Sequence, residues 1–172
     1  YRAHARGSKK QIKRIRVRGT AVNIELGYWS AGGGEDYAIR NEPTETEISK
    51  RSVALSRIMD RVRPKPKSIL EVGCGPGANL AALYRLLGSD TRVYACEPND
   101  SARSVAAALC PFATIADGHA SAISAEDDTF DLVFTAGVLI HIHPDRLLLA
   151  MQEISRVSKR HVLCIEYFAP KV

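Results

Sequence analysis

Gly73-Cys74-Gly75-Pro76-Gly77 and Glu97 have the residue types and the separation that nucleoside chemistry demands. The glycine run follows an apolar stretch, Ser68–Val72, and leads into a helical pattern. Glycines there permit a tight turn and let a ligand approach the backbone with no Cβ in the way. The helix end behind them presents free N–H groups. Glu97 stands 20 residues beyond Gly77, at the end of the next apolar stretch. A carboxylate at that place can accept both hydroxyls of a ribose. Each feature alone has a plainer reading, the glycines as packing and Glu97 as a strand-end acid. Together they point to a bound nucleoside.

Glu71, just before the glycines, bears on its charge. A nicotinamide site usually has an apolar residue there and seats a pyrophosphate on the helix end; a carboxylate suits a cationic cofactor better. Gly73, Gly75 and Ala78 also satisfy the G-x-G-x-x-A form of the dinucleotide fingerprint, so an NAD-binding oxidoreductase stands as an alternative. His141 follows the fourth predicted strand, at the carboxyl edge where open α/β sheets bind ligands. An unperturbed imidazole titrates near pH ~6.5, so it can receive a proton at neutral pH. General base, substrate contact and helix cap all remain open for it. His143, beside Pro144, reads as a cap, and His119 as a loop residue near the ligand.

The elements that must position these groups follow from periodicity. Thr44 and Glu47 form a capping box, and Ile48, Leu55, Ile58, Met59 and Val62 mark one face of a helix that stops before Pro64. Strands are predicted over 68–72, 91–97, 112–116, 130–135 and 161–168. Helices are predicted from about Gly77 to Gly88, over 100–109, and from Pro144 with Leu147, Leu148, Met151 and Ile154 inward. Such alternation means an α/β domain with a mainly parallel sheet and helices on both faces. Residues 27–43 are too glycine-rich for a core element and read as a lid segment ahead of the domain.

Composition bounds the rest. The 172 residues suit one domain; with 45% hydrophobic and 25% charged residues, wholesale disorder and collagen-like repeats are excluded. No apolar run reaches the roughly 18 residues of a membrane span. Cys74, Cys96, Cys110 and Cys164 form no CxxC pair and read as reduced packing residues of a cytoplasmic protein, not as a zinc site. Of the net charge of +5, residues 1–18 supply +8 with no acid, so the body carries −3. The basic arm, taken as 1–26, suits nucleic acid or an acidic surface, which leaves an RNA or a protein as an alternative substrate. The body, over 27–172, decides the function, and nucleic acid is not the expected partner.

These segments resemble a class I S-adenosylmethionine-dependent methyltransferase of Rossmann-like fold. Ile69–Asn79 (ILEVGCGPGAN) resembles its first motif, Glu97-Pro98 its ribose acid, Asp117-Gly118 the turn that faces the adenine, and Phe130–Phe134 (FDLVF) its fourth strand. More narrowly, Tyr28–Asn41 (YWSAGGGEDYAIRN), Phe134–Ile142 (FTAGVLIHI) and Ile165–Pro170 (IEYFAP) are similar to methylases associated with pseudaminic acid biosynthesis. The resemblance implies S-adenosylmethionine as cofactor and a sugar-derived small molecule as acceptor. It assigns cofactor contacts to Tyr37, Arg40, Glu71, Gly73, Cys74, Gly75, Gly77, Asn79, Glu97, Pro98, Asp117, Gly118, Thr135 and Gly137, with Arg40 on the methionine carboxylate. Apart from the resemblance, Glu166 and Tyr167 end the last predicted strand on the ligand edge and, with His141, are candidate substrate contacts. The family continues past the fifth strand with an antiparallel pair, which is expected to be missing or truncated in this sequence. The fifth strand is then expected at an open edge, covered by a second chain, by the basic N-terminal segment or by residues that this sequence does not include.

Overall fold

The computed structural model describes residues 24–167. The basic arm lies outside the described residues except for its last three, which begin a helix; Phe168 and the residues after it also lie outside. The order is α1 (Ile24–Ser30), α2 (Gly32–Arg40), α3 (Glu45–Met59), β1 (Ser68–Val72), α4 (Ala78–Leu87), β2 (Arg92–Cys96), α5 (Asp100–Leu109), β3 (Ala113–Ala116), β4 (Phe130–Ala136), α6 (Pro144–Val157) and β5 (Ser158–Ile165). A 3-10 turn, Leu139–His141, separates β4 from α6.

The five strands are all parallel, in the order β3-β2-β1-β4-β5. Chain order reverses at β1, so the connections after β1 and β4 leave to opposite faces and open a crevice at their carboxyl ends. β5 pairs with β4 alone among the described residues and forms one edge. Strand alternation divides the core between the two faces. Ile69, Val93, Ala95, Leu132 and Phe134 pack with Leu80 and Leu83 of α4, Ala106 of α5, and Ile48 and Leu55 of α3. Leu70, Val72 and Val133 pack with Ala150, Ile154 and Val157 of α6 on the opposite face.

Local chemistry explains several boundaries. The Thr44 hydroxyl accepts from the Glu47 N–H and starts α3, as the capping box requires. His143 caps α6 through its Nδ1, with Pro144 at the first turn. The inward face of α6 differs from the pattern predicted. Leu148 and Met151 are exposed, and Ala150, Ile154 and Val157 are buried. Spacing of four and three sets that stripe, and a small alanine lets the helix sit close to β4. Cys164 is exposed, unlike the three buried cysteines. No described helix is long and apolar enough to cross a membrane.

The glycine-rich segment expected as a lid is helical over Ile24–Ser30 and Gly32–Arg40. It is bound to the domain through Asn99, whose side-chain Nδ2 donates to the Trp29 and Ala31 carbonyls at 3.1 and 3.2 Å. Gly34 makes the contact possible, because a Cβ there would lie 2.5 Å from Asn99 Nδ2 and 2.0 Å from the Trp29 carbonyl oxygen. Gly34, which weakens helix propensity, thus serves close packing against the N-cap of α5.

Candidate functional site

A cavity opens at the carboxyl ends of β1 and β4, where the topology reverses. Its floor is the turn Gly73-Cys74-Gly75-Pro76, its walls include Asn79, Glu97, Pro98, Ala136 and Gly137, and Trp29 and Tyr37 of the lead helices cover it. The turn is tied to the next strand, since the Gly73 N–H donates to the Cys96 carbonyl at 2.8 Å. Gly75 has φ +51, and a Cβ there would lie 3.4 Å from the Tyr37 ring. A side chain would occupy the space between the turn and its cover.

Glu97 follows β2 directly. Its Oε2 accepts from the Gly75 N–H at 2.9 Å and its Oε1 from the Asn99 N–H at 3.1 Å. The two backbone donors hold the carboxylate by one lone pair on each oxygen, leaving the second on each for a ligand. Burial pushes the carboxyl above its ordinary range; the two N–H donors, and Arg103 nearby, pull it back. A buried acid held by amides, facing a cavity, suits a pair of vicinal hydroxyls.

Behind the turn lies a chain of polar contacts. Asn79 Nδ2 donates to Glu71 Oε1 at 2.7 Å, and Asn79 Oδ1 accepts from Arg51 Nη1 at 2.9 Å. Glu71 Oε2 and Arg51 Nε are buried without a hydrogen-bond partner. Burial raises the Glu71 carboxyl to about 8, against the lowering pull of Asn79 and Arg51. A raised carboxyl pKa means that the folded protein holds a proton the unfolded chain has already released. Stability therefore falls as pH rises from the ordinary carboxylate range to about 8. Glu71→Gln should flatten that decline and raise the melting temperature at pH 9 relative to wild type, on the order of 1.4 kcal/mol for each unit of displacement removed. Thermal melts at pH 5 and pH 9 check it, and an unchanged pH slope would count against the charge-burial account.

His141 closes the 3-10 turn after β4 and lines the same cavity. Its ring lies 4.5 Å from the Trp29 indole, centroid to centroid. Burial lowers its pKa, with Glu166 acting in the opposite direction. The net direction is downward, so the imidazole is neutral near pH 7.

A family model described as a methyltransferase domain matches residues 69–161, more than half of the chain. The chain belongs to the methyltransferase domain family. No curated protein sequence matches it. Among solved structures, the methyltransferase domain is similar to an S-adenosylmethionine-dependent methyltransferase from Aquifex aeolicus (19% identity, TM-score 0.61, 75% of this chain and 69% of that one). It is also similar to a putative S-adenosylmethionine-dependent methyltransferase from Methanococcus maripaludis (22% identity, TM-score 0.61, 74% and 58%). A third is the plantazolicin methyltransferase BpumL, solved with a monoazolic desmethyl analogue and S-adenosylhomocysteine (17% identity, TM-score 0.57, 75% and 51%). The chain spans little more than half the length of several of these structures. The Rossmann-like fold expected from the sequence is the fold they share.

Within the methyltransferase domain, the structure brings Tyr37, Gly73, Cys74, Gly75, Asn79, Glu97, Pro98, Gly137 and His141 to one cavity, together with His119. Other predicted residues lie elsewhere. Arg40 is exposed at the end of α2 and does not line the cavity; the guanidinium that does belongs to Arg51. Glu71 sits behind Asn79, fully buried. Gly77 is the N-cap of α4 and packs on α5, where a Cβ would meet Ala106 at 3.1 Å. Asp117 is exposed and pairs with Arg103, and Gly118 packs on Cys96; His119, Ala120 and Ser121 line the cavity from that loop. Thr135 is buried and donates to Glu166. Tyr167 is 83% exposed and off the cavity. Sequence reasoning passed over Arg51, although a signal existed. It stands three residues after Ile48 and four before Leu55, an arginine on the stripe that marks the buried face of α3.

Proposed function

We propose that the chain binds S-adenosylmethionine across the turn after β1 and directs its methyl group to a hydroxyl of a small, sugar-derived acceptor. Glu97 carries the reading: a buried carboxylate, fixed by two amides, at the cavity end of β2. The other residues present also fit such a cofactor. Arg51 offers a buried Nε without a partner at the cavity wall, suited to a carboxylate. Gly75 leaves room beneath Tyr37, and Glu97 gives the cavity an acidic character suited to a sulfonium. The sugar class rests on the resemblance of Tyr28–Asn41 and Phe134–Ile142 to sugar-pathway methylases. A small-molecule acceptor also agrees with the compound seen in BpumL. The buried free thiols of Cys74, Cys96 and Cys110 suit a cytoplasmic site of action.

When bound, the sulfonium supplies an activated methyl carbon for in-line displacement. The chain's residues do the rest. Glu97 accepts the ribose hydroxyls, and Arg51 pairs with the amino-acid carboxylate. Trp29 and Tyr37 exclude water, which strengthens every electrostatic contact beneath them. His141 takes the proton of the acceptor hydroxyl; its lowered pKa keeps it neutral and receptive at pH 7.

Calorimetric titration with S-adenosylmethionine tests the cofactor. Saturable one-site binding is expected; no binding by folded protein, or binding of NADH in its place, would remove the reading. Arg51→Met should weaken that binding about tenfold, as loss of one charge-assisted contact costs roughly 1.5 kcal/mol. Equal affinity in wild type and variant would take Arg51 out of the site.

A further inference from the structure

We infer that Glu166 is a positioning residue that fixes the loop carrying His141, rather than a group that meets the acceptor. The inference rests on the reading above, in which His141 takes the acceptor's proton.

Glu166 directly follows β5. Its Oε1 accepts from the Thr135 hydroxyl at 2.8 Å and from the Val138 N–H at 3.3 Å, and its Oε2 from the Leu139 N–H at 3.1 Å. A carboxylate has about four acceptor positions, and three of them here are spent on the chain itself. The turn Leu139–His141 has no side-chain cap of its own, as Val138 supplies none. The first N–H groups of such a turn need acceptors, and Glu166 provides them from another strand. A second tie sits beside it, where the Gly137 N–H donates to the Ile165 carbonyl at 2.8 Å. Gly137 takes φ +67, which turns the chain out of β4 toward the cavity. The loop from Ala136 to Ile142 is thus fastened to the end of β5 at its start, and His141 at its far end reaches the Trp29 indole.

The groups around His141 are few. Trp29 on α1 is uncharged. Tyr37 on α2, Arg51 on α3, Glu97 after β2 and His119 after β3 line the same cavity. Glu166 is the charged group whose field raises the imidazole pKa against burial. One carboxylate therefore both holds the loop and favours the protonated form of the ring.

The test uses Glu166→Gln and Glu166→Ala in the full chain, with two readouts. The first is NMR titration of the His141 imidazole without cofactor; the second is kcat and KM for the acceptor. Glutamine removes the charge and sets an amide donor against the Leu139 N–H. Its His141 midpoint should move to lower pH and its kcat should fall about tenfold, with KM within about twofold of wild type. Glu166→Asp, which keeps the charge, should bring the midpoint back toward wild type. A raised KM with unchanged kcat and an unchanged His141 midpoint would overturn the inference and return Glu166 to the acceptor. Should the alanine variant fail to fold, the glutamine variant decides by the same criteria. If His141→Ala kept full turnover, the base assignment would fail; the positioning role would then be decided by the Val138 and Leu139 amide resonances, which should move in Glu166→Gln if Glu166 holds the loop and stay in place if it does not.

Discussion

Glu97→Ala should lower S-adenosylmethionine affinity about a hundredfold or more, the largest binding loss expected from a single change in the cavity. Glu97 is 8% exposed and its oxygens face the ligand space between two backbone donors. Truncation removes the acceptor for two ribose hydroxyls, and hydrogen bonds to a charged group are worth roughly 1.5–3 kcal/mol each. It also leaves the Gly75 and Asn99 N–H groups without their acceptor, so the turn loses its anchor. About 3 kcal/mol of net loss corresponds to the hundredfold figure. Glu97→Gln keeps one acceptor oxygen and should fall between wild type and alanine. Calorimetry measures the affinities, and circular dichroism confirms that the variants fold. An alanine variant within about threefold of wild type, roughly 0.6 kcal/mol, would separate Glu97 from the sugar.

His141→Ala should cut turnover by about two orders of magnitude, the lower end of what a positioned proton acceptor contributes, with cofactor affinity intact. His141 comes from the turn after β4 and stands against Trp29, whereas Asn79, Arg51 and Glu97 belong to other elements, so its loss leaves the nucleoside contacts in place. The pH profile carries the sign. The neutral ring is the active form, so kcat should rise through the imidazole pKa and level off above it. Burial moves that pKa below its ordinary value, which places the plateau at neutral pH. In the alanine variant this limb should disappear. Turnover equal to wild type would remove His141 from the chemistry.

Much of the domain was legible because its signals are local. The capping box at Thr44, the glycines closing β1 and Pro144 at the start of α6 each fix a boundary by backbone chemistry that needs no tertiary partner. Glu97 was legible because a strand–turn–helix–strand unit has a nearly fixed length, so its spacing from the glycines marks the neighbouring strand end. The lead helices were hidden by composition. Gly32, Gly33 and Gly34 read against a core element, and only the closeness of Tyr28 to Gly33 and of Trp29 and Asn99 to Gly34 shows why the helix carries glycine at those two places. Arg51 was hidden because its meaning depends on Asn79, 28 residues away. Glu166 was read as a ligand contact from its place at a strand end, but contacts with Thr135, Val138 and Leu139, distant in the chain, decide what its oxygens do.

Asn99 joins two tasks that are usually separate. Its side chain retains the helical cover through the Trp29 and Ala31 carbonyls, and its own amide steadies the Glu97 carboxylate. With Glu97 as the sugar's acceptor, as proposed above, any motion that swings the cover outward far enough to admit a nucleoside would disturb the same residue that orients it. Exchange of spent for fresh methyl donor and the strength with which either is gripped are therefore set together, and a variant that hastens one will slacken the other.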